Sequence, residues 1–199
     1  MVTSQEFDKA IVSLNMGKPI ILPTDTVYGV GVAVGLASTP QVIYDLKHRD
    51  PDKAIPWLVG RPTALKLYGA NVPKYARICA RSFWPGPLTL IVKAADNVPA
   101  AFKAKDGTIA LRMPDDDLTL RLIKTVGFPL AMSSANIQGE PAPRLFENIV
   151  PEIKDNVAIA ISDDSPKSGV SSTVLDCTGP EPVIIRQGAI SMEDIQALL

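Results

Sequence analysis

Histidine and cysteine are scarce in this chain, and their scarcity excludes several kinds of chemistry. His48 is the one histidine among 199 residues, which excludes a mechanism that needs two imidazoles and most histidine-rich metal sites. The two cysteines, Cys79 and Cys177, show no C-x-x-C spacing, and this argues against a disulfide framework or a cysteine zinc site. We expect both thiols to be free and buried.

Long apolar runs and an excess of one charge are also missing. No run approaches the roughly 18 apolar residues of a membrane span. The first ten residues, MVTSQEFDKA, have neither the basic flank nor the apolar run of a signal peptide. The sequence therefore predicts a soluble, cytoplasmic protein without membrane contact. Basic and acidic residues number 20 and 21, so the overall charge gives no reason to expect wholesale attachment to nucleic acid.

Three common catalytic signatures are absent as well. The chain has no G-x-x-x-x-G-K-[ST] loop and no serine within G-x-S-x-G. Gly29, Gly31 and Gly35 depart from the spacing of a dinucleotide-binding loop. These absences argue against P-loop, Rossmann and covalent hydrolase chemistry.

The composition that remains is that of one globular domain, which we expect to span residues 1–199, with 46% hydrophobic and 21% charged residues. Apolar periodicity, caps and turn residues predict helices between residues 3 and 17 and over 40–47, 73–83, 115–126 and 191–199. They predict strands over 19–22, 27–32, 55–59, 88–93, 108–113, 129–132, 157–161, 172–176 and 183–186. Interleaved helices and strands indicate an α/β or α+β fold, a sheet covered by helices.

Positive charge concentrates in one part of the chain. Between Val42 and Arg112 there are twelve lysines and arginines against five acids. Such local asymmetry within a nearly neutral chain indicates a cationic surface or cleft that faces an anion, although single lysines of this kind commonly lie on solvated helix faces.

Polar clusters follow several predicted strands, and each brings hydroxyl, amide or cationic groups to a strand end. They lie at residues 23–29 (PTDTVYG), 47–53, 84–89 (WPGPLT), 112–114 (RMP), 134–136 (SAN), 171–174 (SSTV) and 186–188 (RQG). Cationic groups suit phosphates and a carboxylate, while small hydroxyl and amide groups suit orientation of a ligand. The clusters predict one anion-binding site assembled from many strand ends.

The ordered series PTDTVYG, KxR, WPGPLT, RMP, SAN, SSTV-x-D and IIRxG, from Pro23 to Gly188, resembles the YrdC-like family of L-threonylcarbamoyladenylate synthases. The resemblance implies a twisted mixed β-sheet flanked by helices around a concave basic cavity. It implies a nucleotidyltransferase that joins L-threonine, bicarbonate or CO₂, and ATP into threonylcarbamoyl-AMP and pyrophosphate. Mg²⁺ would arrive with ATP without a protein-bound metal site, and a downstream tRNA threonylcarbamoyl-transferase would use the product.

The same resemblance assigns roles to residues of this chain. The catalytic residues would be Lys47, Arg49, Ser134 and Asn136. The threonine-binding residues would be Thr26, Tyr28, Arg112 and Ser172. The ATP-binding residues would be Arg49, Lys53, Thr108, Asn136, Arg144 and Arg186. The reaction needs no protein nucleophile, because positioning and stabilisation of phosphate charge lower its barrier.

Purely structural roles remain open for several of these residues. Lys47, Arg49 and Lys53 would also suit a solvated basic helix end, and Thr26 would suit local bonding within its turn. Arg112 follows an apolar strand, where an unpaired guanidinium is costly, so a structural ion pair is its alternative.

The chain departs from the family pattern at Asp50, Leu58 and Gln138, where many or some members have proline, histidine and serine. These departures bear mainly on how threonine is held. Two other functions stay open: an RNA-binding module of the same fold without adenylate synthesis, and a relative that uses another acyl or nucleotide substrate.

Overall fold

A mixed β-sheet forms the centre of the computed structural model, which describes residues 2–163 and 167–199. In these residues the strands are β1 Ile20–Leu22, β2 Gly29–Ala33, β3 Trp57–Leu58, β4 Leu88–Lys93, β5 Thr108–Arg112, β6 Leu130–Ser134, β7 Ile159–Ala160, β8 Thr173–Asp176 and β9 Val183–Arg186. Their order across the sheet is β7-β1-β2-β6-β3-β5-β4-β8-β9. The pairs β1–β7, β3–β5 and β4–β8 are parallel and the other pairs are antiparallel. The predicted mixed sheet is thereby confirmed.

Helices pack on both faces of this sheet. They are α1 Ser4–Asn15, α2 Gln41–Lys47, α3 Ala64–Tyr68, α4 Lys74–Phe83, α5 Asp117–Val126, α6 Pro151–Lys154 and α7 Met192–Gln196, with short 3₁₀ turns at Ala100–Phe102 and Phe146–Asn148. Among the described residues no helix is long and apolar enough to cross a bilayer. Both cysteines are free and buried, as predicted.

Local sequence signals explain where α1 begins and ends. The Thr3 side chain accepts a hydrogen bond from the backbone N–H of Glu6, and the Glu6 carboxylate accepts one from the Thr3 N–H, which is the predicted capping box. At the other end Gly17 has φ +68°. The N–H groups of Gly17 and Lys18 donate to the carbonyls of Leu14 and Ser13, which completes a Schellman motif.

Four predicted helix starts, at residues 40, 73, 115 and 191, lie one or two residues too early. The second helix begins at Gln41, one residue later than predicted, although the Thr39 hydroxyl still accepts from the Gln41 N–H at 3.2 Å. The helix predicted from residue 115 begins at Asp117, because Asp116 is extended and its carboxylate caps the Thr119 N–H at 2.7 Å.

The two faces of the sheet carry separate hydrophobic cores. One face packs against α2, α4 and α6 through Ile43, Ala80 and Ile153, together with Trp57 and Leu111 of the sheet. The other face packs against α1 and α5, and its core includes Leu14, Ile123, Leu58, Leu130 and Met132.

Strand alternation then decides where the open surface lies. Successive side chains on a strand point to opposite faces, so Ser134 shares a face with Leu130 and Met132. Arg112 pairs in register with Leu58 and lies on the opposite face from Leu111. Neither Arg112 nor Ser134 belongs to the core that α1 and α5 cover. The part of this face that α1 and α5 leave uncovered contains Arg112 and Ser134, and it holds the candidate site.

Candidate active site

A cavity of about 160 Å³ opens at the ends of β2, β3, β4, β5 and β6, and no residue of a helix lines it. Its polar lining is three guanidinium groups, of Arg49, Arg112 and Arg186, and the hydroxyls of Thr24, Thr26, Thr89, Ser133, Ser134, Ser171 and Ser172. Among the described residues no carboxylate lines it. Three larger grooves, of about 510, 540 and 470 Å³, border α3. We place the candidate site in the smaller cavity because cations and hydroxyls converge there.

Arg112 is the most constrained of the three arginines. Its side chain is 8% exposed. Nε donates to the Gly86 carbonyl at 3.0 Å, one terminal nitrogen donates to Thr26 Oγ1 at 3.1 Å, and the other donates to Asp25 Oδ2 at 2.5 Å. Burial lowers the pKa of Arg112, and the Asp25 carboxylate opposes that shift.

The donors that Arg112 has left over match a carboxylate. A guanidinium carries five N–H donors, and three are used by the protein. One N–H on each terminal nitrogen therefore remains. Two N–H groups are what a bidentate carboxylate accepts. The structural ion pair with Asp25 and a ligand-binding role are thus compatible in the same side chain.

The turn before β2 contains two threonines that make different contacts. The Thr24 hydroxyl donates to the Val27 carbonyl at 2.7 Å and accepts from the N–H groups of Thr26 and Val27, each at 3.3 Å. Thr24 therefore stabilises the turn. The Thr26 hydroxyl contacts Thr24 Oγ1 at 3.2 Å and accepts from Arg112, and it lines the cavity.

Lys47, the last residue of α2, is buried beside the loop that follows β6. Its side chain is 2% exposed. The ammonium group donates to the carbonyl of Ser134, to the carbonyl of Asn136 at 2.5 Å and to Asn136 Oδ1 at 3.3 Å. Burial, with a smaller effect of Arg49, lowers the pKa of Lys47 from 10.5 to about 8. Lys47 thus holds the Ser134–Asn136 loop and does not itself line the cavity.

Arg49 lines the cavity from the loop after α2. Its Nε donates to the Lys53 carbonyl at 3.3 Å, and Nη2 donates to the Ala54 carbonyl at 3.0 Å. These bonds fold the side chain back over its own loop. Burial lowers the pKa of Arg49. The Lys53 side chain is exposed and is not part of the cavity lining.

Arg186 and Ser172 form the opposite wall with Thr89. The Thr89 and Ser172 hydroxyls are 2.8 Å apart, and both residues are buried. Arg186 Nη2 donates to the Ser172 carbonyl at 2.8 Å and to its hydroxyl at 3.1 Å. Burial lowers the pKa of Arg186, and the positive charges of Arg112 and Arg49 lower it further. The three guanidiniums therefore repel one another across the cavity, and a bound anion would relieve that repulsion.

Other residues that the sequence predicted for the site do not line the cavity. Tyr28 is 1% exposed, and its hydroxyl donates to Asp163 at 3.1 Å. Thr108 lies at the other end of β5 from Arg112 and donates to Asp106 at 2.7 Å. Arg144 is exposed and donates to the Lys167 carbonyl at 3.1 Å. Asn136 turns its amide nitrogen toward the carbonyls of Ile137 and Glu140.

The structure adds residues that the sequence reasoning did not assign individually to the site: Thr24, Thr89, Ser133 and Ser171 line the cavity, and Asp25 contacts Arg112. Thr89 is a polar residue between Leu88 and the apolar run 90–92 of its strand, and that contrast is a usable signal. Asp25 lies beside Thr26 in the predicted polar cluster, but its contact with Arg112 spans 87 residues of sequence. Its Oδ1 atom is buried and has no hydrogen-bond partner among the described residues.

Two of the departures from the family pattern contact each other. The Asp50 N–H donates to Gln138 Oε1 at 3.2 Å, and the Gln138 N–H donates to the Lys47 carbonyl at 2.8 Å. Gln138 therefore joins the loop that carries Arg49 to the loop that carries Asn136. The third departure, Leu58, forms part of the apolar lining with Val27, Pro56 and Met132.

Three guanidiniums and seven hydroxyls at the strand ends of a mixed sheet form a site whose chemistry suits a small anionic ligand. The Sua5_yciO_yrdC family model, described as telomere recombination, matches residues 12–188. The chain belongs to this Sua5/YciO/YrdC family. The seven ordered motifs run from Pro23 to Gly188, so all of them fall within the matched residues.

Individual relatives extend this comparison. Threonylcarbamoyl-AMP synthase of Pyrococcus abyssi is 32% identical over 183 residues, which are 92% of this chain and 54% of that protein. A relative from Mycobacterium tuberculosis is 34% identical over 190 residues, 96% of this chain and 87% of the relative. The crystal structure of P. abyssi Sua5 complexed with L-threonine superposes with a TM-score of 0.91 at 30% identity, covering 100% of this chain and 58% of that one. This chain thus spans about half of the P. abyssi protein.

Proposed function

We propose that this chain is a threonylcarbamoyl-AMP synthase that uses L-threonine, bicarbonate or CO₂, and ATP. The observation that carries the proposal is the cavity, in which Arg112 keeps two N–H donors free beside Arg49 and Arg186. The names of the relatives and the threonine-bound Sua5 structure support it. The alternative of an RNA-binding module without synthesis is not favoured by these relatives.

In the proposed reaction the threonine amine forms a bond to the carbon of CO₂ and loses a proton, which gives a carbamate. A carbamate oxygen then attacks the α-phosphorus of ATP. The bond from that phosphorus to the bridging oxygen breaks, and pyrophosphate leaves with the electron pair. No side chain becomes covalently attached, so the protein acts by positioning and by stabilising charge.

Threonine would bind at the Arg112 end of the cavity. The two remaining N–H groups of Arg112 would grip its carboxylate. Thr26 and Ser172 lie within hydrogen-bond distance of Arg112 and Arg186, respectively, and their hydroxyls would orient the amino acid. Leu58 and Met132 would contact its methyl group from the apolar wall.

The phosphates would bind between Arg49 and Arg186, which line the cavity together. Their charge would stabilise the pyrophosphate as it leaves. Lys47 would act by holding Ser134 and Asn136 in place, since its three donors are used by that loop. ATP contacts of Lys53, Thr108 and Arg144 remain predictions for a nucleotide that extends beyond the cavity.

Mg²⁺ fits this site as a companion of ATP. Among the described residues no group of three or more His, Cys, Asp or Glu could hold a metal, and no carboxylate lines the cavity. We therefore propose that phosphate oxygens of the substrate bind the ion, where it would neutralise charge. A cytoplasmic tRNA threonylcarbamoyl-transferase would consume the product. The 199 residues would form one domain.

Omission of each substrate in turn tests this function. Purified protein with Mg²⁺ should release pyrophosphate from ATP only when L-threonine and bicarbonate are both present, and mass spectrometry should detect threonylcarbamoyl-AMP. Equal ATP hydrolysis without threonine, or release of pyrophosphate without the adenylate, would contradict the proposal.

A further inference from the structure

A groove of about 510 Å³ lies between α3 and α5, outside the candidate site. Its floor is apolar and includes Val59, Leu120 and Ile123, and no residue lines both this groove and the cavity. Two large apolar side chains in the groove are open to solvent, since Leu67 is 43% exposed and Phe128 is 40% exposed. We call this surface the α3–α5 groove.

The exposed apolar surface continues beyond the groove. A β-carbon at Gly35 would lie 3.3 Å from the Phe128 ring, so the backbone of this glycine borders that ring. A β-carbon at Gly17 would lie 2.9 Å from the carbonyl oxygen of Leu36, so the end of α1 borders the same loop. Met16, at that end of α1, is exposed. Apolar surface that stays open across adjoining elements is typical of a protein interaction site.

Cations lie at the rim of the groove. Arg61, Arg121 and Lys124 line it and are exposed, and Asp117 is the one acid among its described lining residues. In residues 2–163 and 167–199 none of these four side chains forms an ion pair. The groove therefore has an excess of two positive charges around an apolar floor. Its electrostatic complement is an apolar surface that is bordered by carboxylates.

The groove has the length of about two helical turns. Its α5 side runs from Asp117 to Lys124, and seven residues at 1.5 Å each span about 10 Å. The nearest strand, β3, ends one residue before Val59 and is paired with β5 on one side and β6 on the other. An extended peptide therefore finds no free strand edge here. A helix that presents apolar residues at i, i+3 or i+4, and i+7 covers the same length as the groove.

The charge at the rim also bears on the identity of the partner. In a two-fold contact the same surface lies on both partners, so two copies of this groove would bring their cations together and repel each other. We propose that the α3–α5 groove is a docking site for an amphipathic helix of another protein, with carboxylates on both sides of the apolar face of that helix. These carboxylates would face Arg61, Arg121 and Lys124. This inference does not rest on the proposed function.

Selection from a displayed peptide library on the immobilised full chain tests this proposal. Each peptide of the library has leucine at helical positions i, i+4 and i+7, and the flanking positions are randomised. Enriched peptides should carry more carboxylates than cations at the flanking positions. Selection on the double variant Arg61→Gln with Arg121→Gln should lose this excess of carboxylates.

Fluorescence polarisation with the most enriched peptide then measures its affinity for variants of the groove. Leu67→Ser should weaken binding at least about tenfold, because it removes an apolar anchor from the contact. Arg61→Gln with Arg121→Gln should weaken binding at least about fivefold and make it less dependent on salt. Pyrophosphate release should stay unchanged in these variants, since none of the three residues lines the cavity.

Matched controls use the same residue types at exposed positions outside the groove. They are Leu198→Ser and the double variant Arg77→Gln with Arg81→Gln. Each should change the affinity for the peptide by less than about twofold, because residues outside a contact contribute little to it. Circular dichroism of each variant confirms that it is folded.

Several results would overturn the proposal. One is a selection that enriches no peptide, or that enriches peptides with neutral or basic flanks. Another is weakening by the controls that equals weakening by the groove variants, because the attraction would then be general. A third is binding of an RNA duplex or of phosphatidylserine vesicles that depends on Arg61 and Arg121 while no peptide binds, because the groove would then serve a different class of partner.

Discussion

At the residue scale, Arg112 has enough donors for both its structural contacts and the proposed binding of a carboxylate. Three N–H groups bind Gly86, Thr26 and Asp25, and two remain for a ligand. A lysine at this position keeps the charge but has neither the planar fork nor enough donors for both tasks. The position therefore tests the amino-acid end of the cavity directly.

We expect Arg112→Lys to lower threonine affinity about 10- to 150-fold, because a charge-assisted hydrogen bond contributes about 1.5–3 kcal/mol. ATP affinity should change little, since Arg49 and Arg186 remain. Calorimetry with each substrate measures both. Arg61→Lys, outside the cavity, is the control, and unchanged threonine binding in Arg112→Lys would remove this residue from the threonine site.

Lys47 gives a prediction about pH. Its pKa is about 8 in the folded chain and 10.5 as its ordinary value, so between these values the unfolded chain binds a proton that the folded chain has lost. Stability that depends on Lys47 therefore rises as pH increases from about 8 to 10.5. At about 1.4 kcal/mol per pKa unit, the gain is about 3 kcal/mol over this interval.

Urea denaturation of the natural chain and of Lys47→Met at pH 7.5, 9 and 10.5 measures this effect. The difference in unfolding free energy between the two should move in favour of the natural chain as pH rises. The lost bonds to Ser134 and Asn136 add an offset that does not depend on pH. If the difference in unfolding free energy is the same at all three pH values, burial does not lower the pKa of Lys47.

At the element scale, β4 shows how one polar residue connects a strand to the site. Leu88 and Leu90 pack in the core, while Thr89 is buried and bonds Ser172 across 83 residues of sequence. Ser172 and Arg186 line the same wall of the cavity. Through the contact between Thr89 and Ser172, β4 therefore also positions this wall.

Thr89→Val keeps the shape of the side chain and removes its hydroxyl. We expect a loss of about 1 kcal/mol in unfolding free energy and a several-fold higher KM for threonine, with KM for ATP less affected. The control Thr125→Val, at an exposed position of α5, should change stability by less than about 0.5 kcal/mol. Thermal denaturation and steady-state kinetics measure these effects, and an unchanged threonine KM would limit Thr89 to a structural role.

The elements also show what sequence patterns could and could not predict. Strands Leu88–Lys93 and Val183–Arg186 have the predicted bounds, because apolar runs between turn residues define them. The helices Ala64–Tyr68 and Pro151–Lys154 escaped prediction because five and four residues show no helical periodicity. Strand order and the Asp25–Arg112 contact depend on distant parts of the chain, and local patterns do not encode such contacts.

At the scale of the whole molecule, charge is distributed unevenly even though the net value is −1. Acids gather at the start of α5, where Asp116 caps the helix, while three arginines line the cavity and exposed cations, Lys66, Lys74, Arg77 and Arg81, lie on α3 and α4. Burial lowers the pKa of Arg186, and repulsion from Arg112 and Arg49 lowers it further. An anion that binds between these arginines therefore stabilises the folded chain as a whole.

Pyrophosphate should accordingly raise the thermal stability of the protein. A ligand at 100 times its Kd stabilises the folded state by about 2.7 kcal/mol, which for a chain of this length raises Tm by roughly 5–10 °C. Differential scanning calorimetry with and without pyrophosphate measures the shift, which should shrink as salt rises. Arg49→Gln with Arg186→Gln should abolish most of it, whereas Arg61→Gln with Arg121→Gln should retain it. Equal shifts in both double variants would mean that pyrophosphate binds elsewhere, and the phosphate end of the proposed site would then have to be abandoned.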